Sequence, residues 1–261
     1  MSLRVLFNEY PDPYLNIAFE EALARVRGVD TISDTLRIWR NKKALILGRF
    51  MKVEEDVNLE NANRFRFPII RRFTGGGTVY HDEGCINYSL VIKRDVRYPL
   101  DYLYAHLLKG TLLALKKLGL RPYLKNTNDV VVNERKVSGT AAGLRWEVLF
   151  LHGSILVDSN LQMLYSLLKI PKVHSFDPVK YRVANLTSFI RNISMDHVVE
   201  ALIWGYSRVL SAPSTFEEPV REESKIAEIL YEEKYSKDEW NFGGSIKNET
   251  KINKKIKEIL S

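Results

Sequence analysis

Cysteine is nearly missing: Cys85 is the single one among 261 residues. One thiol forms no internal disulfide and builds no cysteine-ligated zinc centre, so a reducing compartment is expected. No apolar run reaches the length of a bilayer span. The opening MSLRVLFNEYPDPYL lacks a signal-peptide core, which makes the cytoplasm the expected location. Repeats and low-complexity tracts are absent as well. No Ser-His-Asp or Cys-His arrangement suggests an enzyme nucleophile.

What is present is a mixed, mildly basic composition. Lys and Arg number 39 against 32 Asp and Glu, a formal charge of +7. That balance suits anionic partners, or a Lys/Glu-rich surface of the kind thermophiles carry. The length suits one large domain, or one of about 200 residues with a small appendage.

Apolar residues from Leu15 to Val26 recur at helical spacing, with Gly28 as a stop. LRIW and ALILG read as two short strands parted by Asn41-Lys42-Lys43, and Pro68–Arg71 as another. Ile86, Tyr88, Leu90 and Ile92 alternate with polar residues, the pattern of a half-buried strand. One long helix is expected from Leu100 to Leu118, a hairpin around Asn133-Glu134, a strand over 147–157, and helices over 160–169 and 195–210. Strands come first in hairpins and later mix with helices, so the expected class is α+β with a mostly antiparallel mixed sheet packed with helices. The pattern breaks near Pro213, which divides the chain into a unit over 1–212 and a small helical segment over 213–261.

Three segments carry chemistry. In Arg71-Arg72-Phe73-Thr74-Gly75-Gly76-Gly77-Thr78-Val79-Tyr80-His81-Asp82, consecutive glycines are entropically costly, and backbone that must approach an anion closely is one reason for them. The two arginines add permanent positive charge; the alternative is a hairpin turn with a solvated rim. No Gly-Lys-Ser/Thr follows, so this is not a P-loop, and no helix follows as a dinucleotide fingerprint requires. In the second segment, Asn128 to Ala141, Lys136 opens a strand followed by small residues. Its ammonium is placed to hold a carboxylate and a phosphate together, or to blunt a sheet edge. The third, Leu151-His152-Gly153-Ser154, puts His152 at a pocket wall or in a structural role. Asp82 reads as a ligand to magnesium-bound phosphate or as a turn cap.

In this order and spacing, RRFTGGGTVYHD, NDVVVNERKVSGTA and LHGSILVD resemble the lipoate–protein ligases. YLNIAFEEAL and ALILGRF upstream, with RVANLTSF and KYSKDEWN downstream, extend the resemblance over nearly the whole chain. The compact archaeal type, whose accessory domain is a separate small protein, is similar in length. The resemblance implies the biotin/lipoate ligase catalytic-domain fold and an enzyme that activates lipoic acid with ATP and Mg2+ as lipoyl-adenylate. It then transfers the lipoyl group to a lysine of a lipoyl-domain acceptor, such as an E2 subunit or a glycine-cleavage H-like protein.

The residue roles it implies are these. Arg71 and Arg72, with Gly75, Gly76, Gly77, Thr78 and Val79, would embrace substrate and nucleotide. Lys136 would be the catalytic charge clamp. Asn128 and Asp129 would lie near adenine, ribose or metal, with Asp129 the candidate metal ligand. His81, Asp82, Gly139, Ala141 and His152 would line the pocket. Cys85 and Met51 depart from the family pattern, at a phosphate contact and at the acyl tunnel respectively. An octanoyl transferase of the same fold would need a nucleophilic cysteine, which neither Tyr123–Asn126 nor Thr140–Ala142 supplies. A biotin ligase has a differently spaced loop, and a non-catalytic basic binder would show a nucleic-acid motif that is not seen. No membrane or nucleic-acid partner is expected.

Overall fold

A computed structural model describes residues 2–169 and 182–261. Its fold is α+β, as the sequence pattern indicates, built on an eight-stranded mixed sheet beside a three-stranded one. Strands β1 (Leu3–Phe7), β2 (Thr35–Trp39), β6 (Cys85–Lys93), β7 (Tyr123–Lys125), β8 (Asp129–Val132), β9 (Arg135–Arg145), β10 (Val148–Leu156) and β11 (Ser214–Phe216) form the large sheet. Their order is β11-β1-β2-β6-β10-β9-β8-β7. Only the β11-β1 and β1-β2 pairs are parallel. The small sheet is β4-β3-β5, from β3 (Lys43–Leu47), β4 (Ile69–Arg71) and β5 (Val79–Asp82).

Both faces of the large sheet are covered. On one, Ile86, Tyr88, Leu90 and Ile92 of β6 pack against α5 (Lys109–Lys117) and α7 (Met195–Leu210). On the other lie α1 (Pro13–Gly28), α8 (Arg221–Leu230), α9 (Asp238–Asn241) and α10 (Glu249–Leu260), with the small sheet beside them. A third core joins the small sheet to α2 (Val53–Asp56), α3 (Leu59–Arg64) and α6 (Leu161–Leu167). No helix among the described residues is long and apolar enough to cross a membrane.

Three expectations are corrected. LRIW and ALILG do not form a hairpin: β2 joins the large sheet and β3 the small one, so the turn at Asn41 carries the chain from one sheet to the other. Strand β6 is not half-buried; all its residues but Lys93 are buried, because both faces of the sheet are covered, and Ser89 finds a buried partner in Glu20. The expected long helix is broken: α4 (Pro99–Asp101) runs into a π-helical turn over Tyr102–Leu107 before α5. The expected hairpin is present, with Asn133 and Glu134 both at left-handed φ (46° and 58°), as a tight two-residue turn requires.

Residues 214–261 are built into this body. β11 extends the large sheet beside β1, and Ile226, Tyr235, Trp240 and Ile256 fill the core under α1. Arg4 on β1 grips the Glu223 carboxylate through both terminal nitrogens, at 2.7 and 2.8 Å.

Candidate functional site

Between β9 and β10 of the large sheet and β5 of the small one lies a cavity of about 220 Å³. Gly77, Thr78, Val79, Lys136 and Gly139 line it, so the first two motifs meet here. Tyr80, Leu156, Leu164, Leu168 and Val183 make much of the wall apolar, and Met51 joins them. Asp56, which no sequence signal marked, also faces in; one of its carboxylate oxygens accepts the Thr78 hydroxyl at 2.6 Å.

The β8–β9 hairpin presents Lys136. Its ammonium lies 2.5 Å from the Asp129 carboxylate. It crosses the strand over Gly139, where a Cβ would stand 3.0 Å from both Cε and Nζ. The gap beside Gly139 is thus the seat of the lysine head. Asn128 fixes the adjoining β-bulge by donating to the Thr140 carbonyl at 2.8 Å, while the Thr140 hydroxyl donates back to the Asn128 carbonyl.

The glycine turn is held from behind. Buried Arg72 donates to the carbonyls of Gly75 (2.5 Å), Gly77 (2.9 Å) and Ile46 (3.0 Å). Burial pulls its pKa down to about 10, which leaves it charged at neutral pH. Gly76 adopts φ +88°, and a Cβ there would meet the Arg72 guanidinium at 2.9 Å, with Ala141 the next neighbour. A Cβ on Gly77 would meet nothing within 4 Å.

Arg71 stands apart from the cavity. Its guanidinium donates to five carbonyls: Gly48, Arg49 and Met51 on one side, Trp240 and Phe242 on the other. It joins the turn after β3 to the C-terminal segment. Arg49 adds a contact to the Gly244 carbonyl and lies over the Trp240 ring.

The remaining candidates lie outside the cavity wall. His81 is buried against Trp39, and Asn41 donates to its Nδ1 at 3.2 Å. Burial pulls its pKa to about 3, so the ring is neutral. Asp82 caps a turn, accepting from the N–H groups of Gly84 and Asn160 and from the Tyr80 hydroxyl. His152 sits between Thr74 and Glu20. Glu20 was missed, although a signal existed: two adjacent carboxylates, Glu20-Glu21, interrupt an apolar helix, and both are buried. Cys85 is buried among Leu45, Tyr80 and Leu156, and burial pushes its thiol far above the usual range. Such a thiol is no ready nucleophile at neutral pH.

Comparison with known proteins agrees with this architecture. The family model of the lipoyl protein ligase A/B catalytic domain matches residues 12–206. The chain is 32% identical to lipoate-protein ligase A subunit 1 of Thermoplasma acidophilum, over 93% of this chain and 97% of that one. It is 29% identical to the octanoyltransferase LipM of Anoxybacillus flavithermus, over 88% of this chain and 94% of the relative. The bipartite archaeal lipoate protein ligase of T. acidophilum, solved with its E2 lipoyl domain, superposes with TM-score 0.84 at 31% identity, covering 95% and 98% of the two chains. A lipoate-protein ligase A bound with ATP gives 0.85 at 31% identity, covering 94% of this chain and all of that one.

Proposed function

Since the chain belongs to the lipoyl protein ligase A/B catalytic-domain family, we propose that it activates lipoic acid with ATP as lipoyl-adenylate and passes the lipoyl group to a lysine of a carrier domain. The observation that carries this reading is the shared cavity. A lysine ammonium, an open glycine turn and largely apolar walls face one space.

In the first step a lipoate carboxylate oxygen attacks the α-phosphorus of ATP, and the bond to pyrophosphate breaks. Two anions must approach, so the barrier is dominated by charge. Lys136 meets that charge directly, and its present partner Asp129 holds the ammonium in place until the substrates compete for it. The N–H groups of the glycine turn add fixed dipoles, and Arg72 keeps the turn's carbonyls out of the way. In the second step the amine of the acceptor lysine attacks the mixed anhydride carbonyl and AMP leaves. The anhydride is already reactive, so positioning is the main requirement.

Mg2+ enters this scheme on the triphosphate of ATP. The described residues contain no cluster of three or more His, Cys, Asp or Glu side chains that would cage a metal ion. Bound Mg2+ commonly relies on substrate phosphates, water and one or two carboxylates. Asp129, the candidate ligand, is already paired with Lys136.

On this reading residues 1–212 are the catalytic unit, and 213–261 close its underside. A separate accessory protein would assist transfer, as the bipartite name of the Thermoplasma relative suggests. The octanoyltransferase alternative has a named relative in its favour. Against it stands the burial of Cys85. The experiment is incubation with ATP, Mg2+ and lipoate, followed by detection of pyrophosphate and lipoyl-adenylate. Both products are expected. Octanoyl transfer from an acyl-carrier protein without ATP, with no adenylate formed, would replace this reading by the transferase one.

A further inference from the structure

Behind the glycine turn runs a row of buried polar side chains that the chemistry above leaves unused: Arg72, Thr74, His152, Glu20 and Ser89, all at most 9% exposed. Arg72 Nε donates to the Thr74 hydroxyl at 3.0 Å. The same hydroxyl shares a hydrogen bond with His152 Nε2, 2.7 Å away. His152 Nδ1 carries a ring hydrogen and donates to the Glu20 carboxylate at 3.1 Å. The two outer directions are fixed, because a guanidinium only donates and a carboxylate only accepts; the middle hydrogen belongs to Thr74 when His152 is neutral and to the ring when it is protonated. Burial alone would raise the Glu20 pKa. The charge and hydrogen bond of His152, the Ser89 hydroxyl and the charge of Arg37 outweigh it and hold the carboxyl below its ordinary value. The row therefore ends in a buried anion, and that anion also acts on the buried Arg72 as a counter-charge.

The other end of the chain acts on the turn. Arg72 draws the carbonyls of Gly75 and Gly77 inward. In a trans peptide the N–H points opposite to the C=O, so the N–H groups of Gly76 and Thr78 face away from Arg72. Gly77 and Thr78 border the cavity that also holds Lys136. The Thr74 hydroxyl holds Nε, which turns the guanidinium so that Nη2 alone reaches both carbonyls. A Thr–His–Glu row of this kind would elsewhere suggest a nucleophile. Here Thr74 is 3% exposed and its hydroxyl is spent between Arg72 and His152, so it attacks nothing.

We propose that Thr74, His152 and Glu20 are positioning residues that set the glycine turn through Arg72, so that the Gly76 and Thr78 N–H groups receive the charge that builds where carboxylate meets phosphate. This rests on the adenylate-forming reading, and the test separates the two. Pyrophosphate release from ATP and lipoate is measured for wild type, Thr74→Val and Thr74→Ser, with Tm recorded for each. Valine keeps the shape and loses the hydroxyl; serine keeps the hydroxyl and loses the methyl that packs beside Gly143. Loss of well-placed oxyanion donors costs about a hundredfold or more, so a partly disordered turn is expected to cost Thr74→Val about tenfold or more. Thr74→Ser is expected to stay within about threefold of wild type, the difference being smaller than one oxyanion donor is worth. The reverse order would assign Thr74 to packing and overturn the proposal, as would a wild-type rate in Thr74→Val. Glu20→Gln provides a second route should Thr74→Val fail to fold: it keeps the size of the acceptor and removes the charge opposite Arg72. A measurable loss is expected, and Thr74→Val/Glu20→Gln should be no slower than Thr74→Val, since both act through one chain. Wild-type rates in Glu20→Gln, or losses that multiply, overturn the proposal. Wild type that releases no pyrophosphate overturns the adenylate reading itself.

Discussion

On the proposed reading Lys136 has two roles: it would clamp charge in the cavity, and it pairs with the buried Asp129 carboxylate. Lys136→Ala is expected to abolish lipoyl-adenylate formation. It should also cost about 1–3 kcal/mol of stability, because a buried carboxylate loses its partner. Lys136→Ala/Asp129→Asn should regain most of that stability in urea melts and none of the activity. Recovery of adenylate formation in the double variant would sink the assigned role. Cys85 offers the opposite case. Its thiol is enclosed by Leu45, Tyr80 and Leu156, so Cys85→Ala should keep most of the activity, and an acyl group trapped on Cys85 by mass spectrometry would refute this. Both residues stood out in the sequence, but for different reasons. Lys136 was singled out as a site residue by the family resemblance, since its spacing alone equally fits a lysine that blunts a sheet edge. Cys85 was legible only as a departure from a family pattern, and its burial came from packing between sheets that no local pattern encodes.

Among the elements, α5 and α7 approach each other closely. A Cβ on Gly205 would stand 2.3 Å from the Gly110 carbonyl oxygen, a backbone atom that cannot swing aside. Gly205→Ala is therefore expected to force the helices apart at a cost of about 1–3 kcal/mol, read as a shift of the urea midpoint at unchanged slope. The contact between α1 and the C-terminal segment adds a buried charge cluster to its apolar packing. Glu21 accepts from Lys234 and the Tyr235 hydroxyl, both at 2.6 Å, and from Arg25. Burial would raise its pKa, but Lys234, Arg25 and Tyr235 prevail and hold it at about 2 against an ordinary 4.5. The folded value lies below the unfolded one, so the stabilisation is complete above about pH 4.5 and fades as the pH falls toward 2. Tm against pH should show this acid limb in wild type and a shallower one in Glu21→Gln; identical slopes would contradict it. Elements with strong local signals were readable in advance: the Asn133-Glu134 hairpin, α1, and the helices near 160 and 195. The separation of β2 from β3 was not, because the polar turn between them is compatible with a hairpin and with a sheet crossing, and the pairing is settled by distant strands. Nor was the π-helical turn over Tyr102–Leu107, whose buried Leu103 and Leu107 stand at ordinary helical spacing.

At the scale of the molecule, residues 214–261 supply a strand, part of a core and the carbonyls around Arg71. A chain ending at residue 212 would uncover the apolar face of α1 and leave Arg4 and Glu21 without their buried partners. It is expected to be insoluble or to bind ANS strongly; a soluble truncated chain with a cooperative melt would contradict this. The intact chain should form lipoyl-adenylate unaided, while transfer to a purified lipoyl domain should need a separate accessory protein. Full transfer by the isolated chain would remove that requirement. In the sequence the last segment showed its helix, its Tyr235 and its Trp240, but not their destination, since long-range docking leaves no periodic trace. The five carbonyls around Arg71 also impose an order in time. Two of them lie about 170 positions further along the chain. At a ribosomal pace of about 5–20 residues per second, Arg71 leaves the peptidyl-transferase centre roughly 10–30 s before Trp240 and Phe242 exist. Through that interval the guanidinium stays hydrated and the turn after β3 is only partly held, so the nascent protein ties its middle to its end only after its last helices have emerged.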